Sequence, residues 1–153
     1  MTKGRIGVLL QTALARSWLV LGLLLCAPAV AQEVVVNADV ADRSVSQNGV
    51  RAIFSMRMRQ WTDGKPVKVF VLPDQDPVHV SFAKSRLNTF PHQLRRSWDL
   101  LVYSGSGQAP TVVESPTEMM KRVSPTAGAI GYLPEGFLNK GDKNEQVRIL
   151  QIR

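Results

Sequence analysis

Pro77, Pro91 and Pro116 each stand at the opening of a helically patterned stretch, and they fix where most of the helices of this chain can begin. Proline suits the first helical position because no amide hydrogen is needed there. Asp76 and Ser115 stand immediately before two of them as capping residues, and Ser115-Pro116-Thr117-Glu118 has the capping-box spacing. Ser46 caps a further helix, in which Val50, Ile53 and Phe54 recur at i, i+3 and i+4 until about Met56. Phe82, Ala83 and Leu87 give the helix after Pro77 its apolar side. Leu94, Trp98, Leu101 and Val102 do so after Pro91, and Met119, Met120 and Val123 after Pro116. β-branched and apolar runs lie between these helices: Glu33–Asn37, Val67–Leu72, Thr111–Val113, Gly128–Leu133 and Val147–Ile152. In the last of these, read as one strand, the apolar residues fall at 147 and 149, with 150 and 152 as further candidates. Trp61-Thr62-Asp63-Gly64 reads as a turn, and Asn139 to Asn144 as a polar loop. The resulting order, β-α-β-α-α-β-α-β-β, predicts an α/β domain of two or three layers, a mixed sheet flanked by helices.

The N-terminus bounds the compartment. Lys3 and Arg5 precede an apolar run, Trp18 to Leu25, and Ala29-Val30-Ala31 supplies a small-x-small site before Gln32. The run is shorter than the roughly 20 apolar residues a spanning helix needs. Residues 1–31 are therefore expected to be a cleavable secretory signal, and 32–153 the working domain, delivered to the periplasm. Cleavage leaves 122 residues, enough for one core. It also removes Lys3, Arg5 and Arg16, which lowers the formal net charge from +7 to +4 and weakens any case for a nucleic-acid partner. The single cysteine, Cys26, leaves with the signal, so the mature chain has no disulfide, thiolate metal site or cysteine nucleophile.

The sequence contains no HExxH, no phosphate-loop motif, no Ser-His-Asp spacing and no metal-ligand cluster, and an enzyme is not expected. Ser104-Gly105-Ser106-Gly107 follows a helix and precedes proline, so it reads as a connecting loop rather than a phosphate cradle. His79 lies on the first turn after the Asp76 cap, either hydrogen-bonded near that cap or acting as a ligand. Asp74 and Asp76 alone make a poor cation cage. His92 is expected at the surface, and Trp61 and Trp98 in the core. Arg95 and Arg96 fall off the apolar stripe as a solvated face. With Arg57, Arg59 and Lys68 they form a candidate basic patch for an acidic partner or anionic head groups.

Val50-Arg51-Ala52-Ile53-Phe54 followed by Gln60-Trp61-Thr62-Asp63-Gly64 resembles the AIF-x-G-x-x-x-x-W-x-D-G segment of bacterial phosphate-binding proteins, the periplasmic receptors of phosphate ABC transporters. Thr126-Ala127-Gly128-Ala129-Ile130-Gly131-Tyr132 resembles that family's T-x-GAIGY strand. The likeness runs from about Val35 to Leu133. It implies a single lobe of a type II periplasmic-binding-protein-like fold, a short branch of a family whose full-length members close two lobes on phosphate. Where the family carries a Ser-Gly-Thr grip, this chain reads Leu72-Pro73-Asp74-Gln75-Asp76-Pro77, and two carboxylates there repel a phosphate dianion unless a proton or cation intervenes. The expected role is a solute-binding-type domain that takes a small anion weakly or together with a partner. The candidate ligand residues are Ser46, Asp76, His79 and Ser115, at helix N-termini where backbone donors are available. The alternative is an envelope interaction or sensory module that has lost its ligand. Neither reading needs a cofactor. A protein partner or self-association is expected, and the membrane is reached only through a transporter or sensor partner.

Overall fold

The computed structural model describes residues 31–138 and 145–153. The signal expected over residues 1–31 and the polar loop at 139–144 lie outside them, apart from Ala31. Five strands form the main sheet: β1 (Gln32–Asn37), β3 (Lys68–Val71), β4 (Thr111–Val112), β5 (Ala129–Pro134) and β6 (Val147–Ile149), in the order β4-β3-β5-β1-β6. β3 pairs in parallel with both β4 and β5, while β1 runs antiparallel to β5 and β6. The sheet is therefore mixed, as the alternation of elements predicts. β2 (Ser44–Val45) and β7 (Gln151–Ile152) form a separate two-stranded parallel ribbon.

Register assigns the two faces. Val35 pairs with Gly131, and Val34 with Tyr132. Successive side chains point to opposite faces, so Gly131 and Tyr132 serve different layers. On the Gly131 face lies α4 (Pro116–Val123). A Cβ at Gly131 would stand 2.5 Å from Met119 Sδ, so glycine here lets the helix approach the strand. On the Tyr132 face lie α1 (Gln47–Phe54) and α2 (Pro77–Ser85): Phe82 stacks on Tyr132 at 3.9 Å between centroids, and Phe54 meets Phe82 edge-on at 4.8 Å. α3 (Pro91–Tyr103) closes over this side through Leu94 and Trp98. Among the described residues the result is three layers, one helix below the sheet and three above.

Local chemistry made these elements as expected. Ser46 Oγ accepts from the Gly49 amide, Asp76 from the Val78 and His79 amides, and Ser115 Oγ from the Glu118 amide. The Glu118 carboxylate reaches back to the Glu114 amide, one residue further than a capping box requires. Trp61 and Trp98 are core anchors with satisfied indoles: Trp61 Nε1 donates to the Gly128 carbonyl and Trp98 Nε1 to the Phe54 carbonyl. Asn37, buried at the end of β1, donates to the Val123 and Ser124 carbonyls and so finishes α4.

The C-terminal run differs from its expectation. It is broken at Leu150 into β6 and β7, and Val147 and Leu150 are buried while Ile149 is 44 % exposed. The unalternated pair Ile149-Leu150 cannot serve one face of a straight strand, so the chain bends there. Its last residues leave the main sheet for β2, a strand the sequence reading does not contain.

Candidate functional site

β3, β4 and β5 run in parallel, and α2 and α4 follow the carboxyl ends of β3 and β4. Ligands of open α/β sheets favour the crevice outside the carboxyl ends of strands. Of the four candidate residues, Asp76 and His79 share the first turn of α2, and Ser115 opens α4 beyond the neighbouring strand end. Ser46 stands at the β2–β7 ribbon instead, where the Gln47 amide donates to the Arg153 carbonyl. The N-terminal amides at all three helices already bond to their own caps. At α2 the bond is to a carboxylate, so the protein's own anion occupies the position where a bound anion would sit.

Around Asp76 the polar groups form a connected set. Asp74 accepts a two-pronged hydrogen bond from Arg95, Nε at 3.0 Å and Nη2 at 2.8 Å. That hydrogen bond holds the Asp74 carboxyl below its usual range, and reciprocally it raises Arg95. The Arg95 guanidinium also lies 5.1 Å from the Trp98 ring centroid. Arg95 is therefore a half-buried partner of the Asp74 loop, not the solvated residue its position off the apolar stripe suggests.

His79 is fully buried between α2 and β5. Its Nδ1 hydrogen-bonds Tyr132 Oη, and the same oxygen accepts the Leu72 amide at 2.8 Å. Burial pushes the Tyr132 phenol well up, so it keeps its proton. With one lone pair taken by Leu72, that proton is directed at Nδ1. The imidazole is then neutral with its hydrogen on Nε2, and Nε2 is a buried donor with no partner among the described residues. Desolvation lowers the His79 pKa, and the nearby Asp74 and Asp76 only partly oppose it. The backbone amide of His79 bonds the cap, as expected, but its ring is partnered by the strand tyrosine, 53 residues away, and no local pattern connects those two side chains.

A pH dependence follows. An unfolded histidine titrates near 6.5, whereas folded His79 resists its proton. Below that pH the unfolded chain binds a proton that the native state does not, so stability falls as pH drops from about 6.5 towards the depressed native value. Urea unfolding between pH 7.5 and 5 should show this slope, and His79→Gln should flatten it. An equally steep slope in the variant would assign it to other groups.

The remaining features carry less. Ser104 to Gly107 ends α3 as a plain loop, with the Ser106 and Gly107 amides on the Leu101 carbonyl. Among the described residues no group of acids and histidines could hold a metal ion, and no helix is long and apolar enough to cross a membrane. His92 is exposed.

No protein-family model matches the chain, and no curated protein matches it significantly in sequence. Solved structures do match. PstS from Borrelia burgdorferi aligns over 80 % of this chain and 47 % of its own, with a TM-score of 0.63 and 15 % identity. A Clostridium perfringens protein, solved with bound phosphate and assigned to phosphate ABC transport as a substrate-binding protein, aligns over 79 % of this chain and 44 % of its own, with a TM-score of 0.62 and 10 % identity. The fold is that of periplasmic-binding-protein-like domains, and this chain spans less than half the length of either structure.

Proposed function

We propose that this chain is an exported solute-binding-type domain that takes a small oxyanion such as phosphate, weakly or together with a partner. The observation that carries the reading is the fold. Most of the described domain aligns with part of PstS from Borrelia burgdorferi and with part of a phosphate ABC transporter substrate-binding protein solved with phosphate bound. In this reading Asp76, His79 and Ser115 act beyond the carboxyl ends of β3 and β4, and Ser46 lies outside that region. The Asp76 carboxylate on the α2 amides favours weak binding, because an incoming anion must displace it or share a proton with it. His79 lies buried on the same turn, its Nε2 without a partner among the described residues. In this reading residues 1–31 direct export to the periplasm, a transporter or sensor partner links the domain to the membrane, and the domain catalyses nothing.

Thermal melting of the chain from Gln32 onward tests this. With phosphate at tenfold its dissociation constant, the native state gains about 1.4 kcal/mol. For a domain of this size that raises the midpoint by about 5 °C. An unchanged midpoint across phosphate, sulfate and simple metabolite anions at millimolar concentration would remove the receptor reading.

A further inference from the structure

Several cations of the described domain are tied to partners. Arg95 is held by Asp74, Arg122 pairs with Glu118, Lys65 with Asp39 and Asp63, and Arg59, Arg86 and Arg148 donate to backbone carbonyls. Arg57 and Arg96 make no hydrogen bond or ion pair among the described residues. Both line one groove of about 480 Å³ between the end of α1 and the outer side of α3. Arg51 joins them there, its guanidinium bonded to the Leu87 and Asn88 carbonyls. Thr89, Ser97 and Leu100 complete the part of the wall that matters here, and no aspartate or glutamate lines the groove.

Local structure sets these arginines in place. Met56 takes a left-handed conformation, φ 61°, just past α1, and the Arg57 amide folds back onto the Ala52 carbonyl. That helix-ending turn fixes where Arg57 leaves the chain. A cation near a helix C-terminus is favourable by itself, which accounts for Arg57. It accounts neither for Arg96, in the middle of α3, nor for the missing carboxylates. Along α3, Arg96, Leu100 and Tyr103 fall at i, i+4 and i+7, one outward stripe. Leu100 is 64 % and Tyr103 88 % exposed, although the inward stripe of the same helix, Leu94 and Trp98, is buried.

We propose that this groove docks an acidic segment of a partner protein, with carboxylates on Arg51, Arg57 and Arg96 and an apolar side chain on Leu100 and Tyr103. Charge complementarity selects the occupant. Three guanidiniums without an acid among them favour carboxylates, which they can grip in a planar, two-pronged way. The exposed leucine and tyrosine extend the site past what a free ion would use, and arginine and tyrosine are the side chains that anchor protein interfaces. A second copy docking by the same face would set arginine against arginine. None of Ser46, Asp76, His79 and Ser115 lines the groove, so this site stands apart from the region proposed for the small anion.

A short synthetic peptide alternating glutamate with leucine is the probe, and its glutamine–leucine counterpart is the control. Calorimetry should show the acidic peptide binding, more weakly as salt rises. Arg57→Ala with Arg96→Ala should reduce the affinity about tenfold, and Leu100→Ala about fivefold, each with an unchanged melting midpoint. The proposal is overturned by equal binding of the glutamine peptide, or by no binding of either. It is equally overturned if inorganic phosphate displaces the peptide fully while Leu100→Ala has no effect, which would mark a site for a small ion. Arginine-dependent binding to phosphatidylglycerol vesicles without peptide binding would assign the groove to a lipid surface instead. The phosphate-induced rise in melting point should be the same in the double-arginine variant and the native chain, so the two sites can fail separately.

Discussion

Replacing Trp98 by alanine should lower the unfolding free energy by about 3–5 kcal/mol, the usual range for deleting a buried tryptophan. The indole is fully buried on the inward side of α3, and its Nε1 donates to the Phe54 carbonyl at 2.8 Å. That carbonyl belongs to the last turn of α1, where helices leave acceptors without internal partners. Truncation therefore opens a cavity between α3 and α2 and orphans the end of a second helix at once. It also removes the ring beneath Arg95, the residue that holds the Asp74 loop. Domains of this size are stable by only about 5–15 kcal/mol, so the variant should melt far below the native chain. Trp98→Phe keeps most of the packing and loses the hydrogen bond, so it should fall between the two. Urea unfolding followed by far-ultraviolet circular dichroism measures both. A loss under about 1 kcal/mol for the alanine variant would contradict the anchoring role.

Tyr132→Phe removes a single oxygen and should still destabilise by about 2–4 kcal/mol. Tyr132 Oη accepts the Leu72 amide and donates to His79 Nδ1, and all three groups are buried. Phenylalanine preserves the stack on Phe82 but leaves an amide and an imidazole nitrogen without partners. A double-mutant cycle with His79→Leu isolates the histidine's share, because the amide of Leu72 remains orphaned in either background. Coupling near zero would mean that the hydroxyl serves the strand end alone, and the tautomer assigned to His79 would lose its support.

Much of the fold could be read locally. Asp76-Pro77 and Ser115-Pro116 announce helix starts by chemistry contained in two adjacent residues, and both helices begin there. The β-branched run at Val34–Val36 and the small-residue strand around Gly131 likewise state their own requirements. What could not be read depends on distant partners. The β2–β7 ribbon joins Ser44 to Gln151 with two residues a side, too short for any periodicity to show. Tyr132 looks like a core aromatic until His79 and Leu72 arrive beside its hydroxyl. The basic residues were legible as a set but not in their grouping. Arg95 goes to Asp74, Arg59 to the Ser106 carbonyl, and Lys68 stands exposed at the start of β3. Arg57 and Arg96 meet Arg51, a residue that reads from sequence only as part of an amphipathic helix. Spacing along α3 places Arg95 and Arg96 on its polar side, but which of them faces a carboxylate is decided by a loop twenty residues earlier.

The bend at Leu150 has a bearing on self-templating. β6 stops at that bend after three residues, and β4, at the other margin of the main sheet, is two residues long. Open peptide groups along a sheet margin invite a foreign chain to hydrogen-bond onto them, and brevity is one of the ways natural proteins discourage this. With margins this short, an added strand gains too few ladder bonds to offset its ordering, so the native molecule presents a poor seed for fibrous stacking even when crowded.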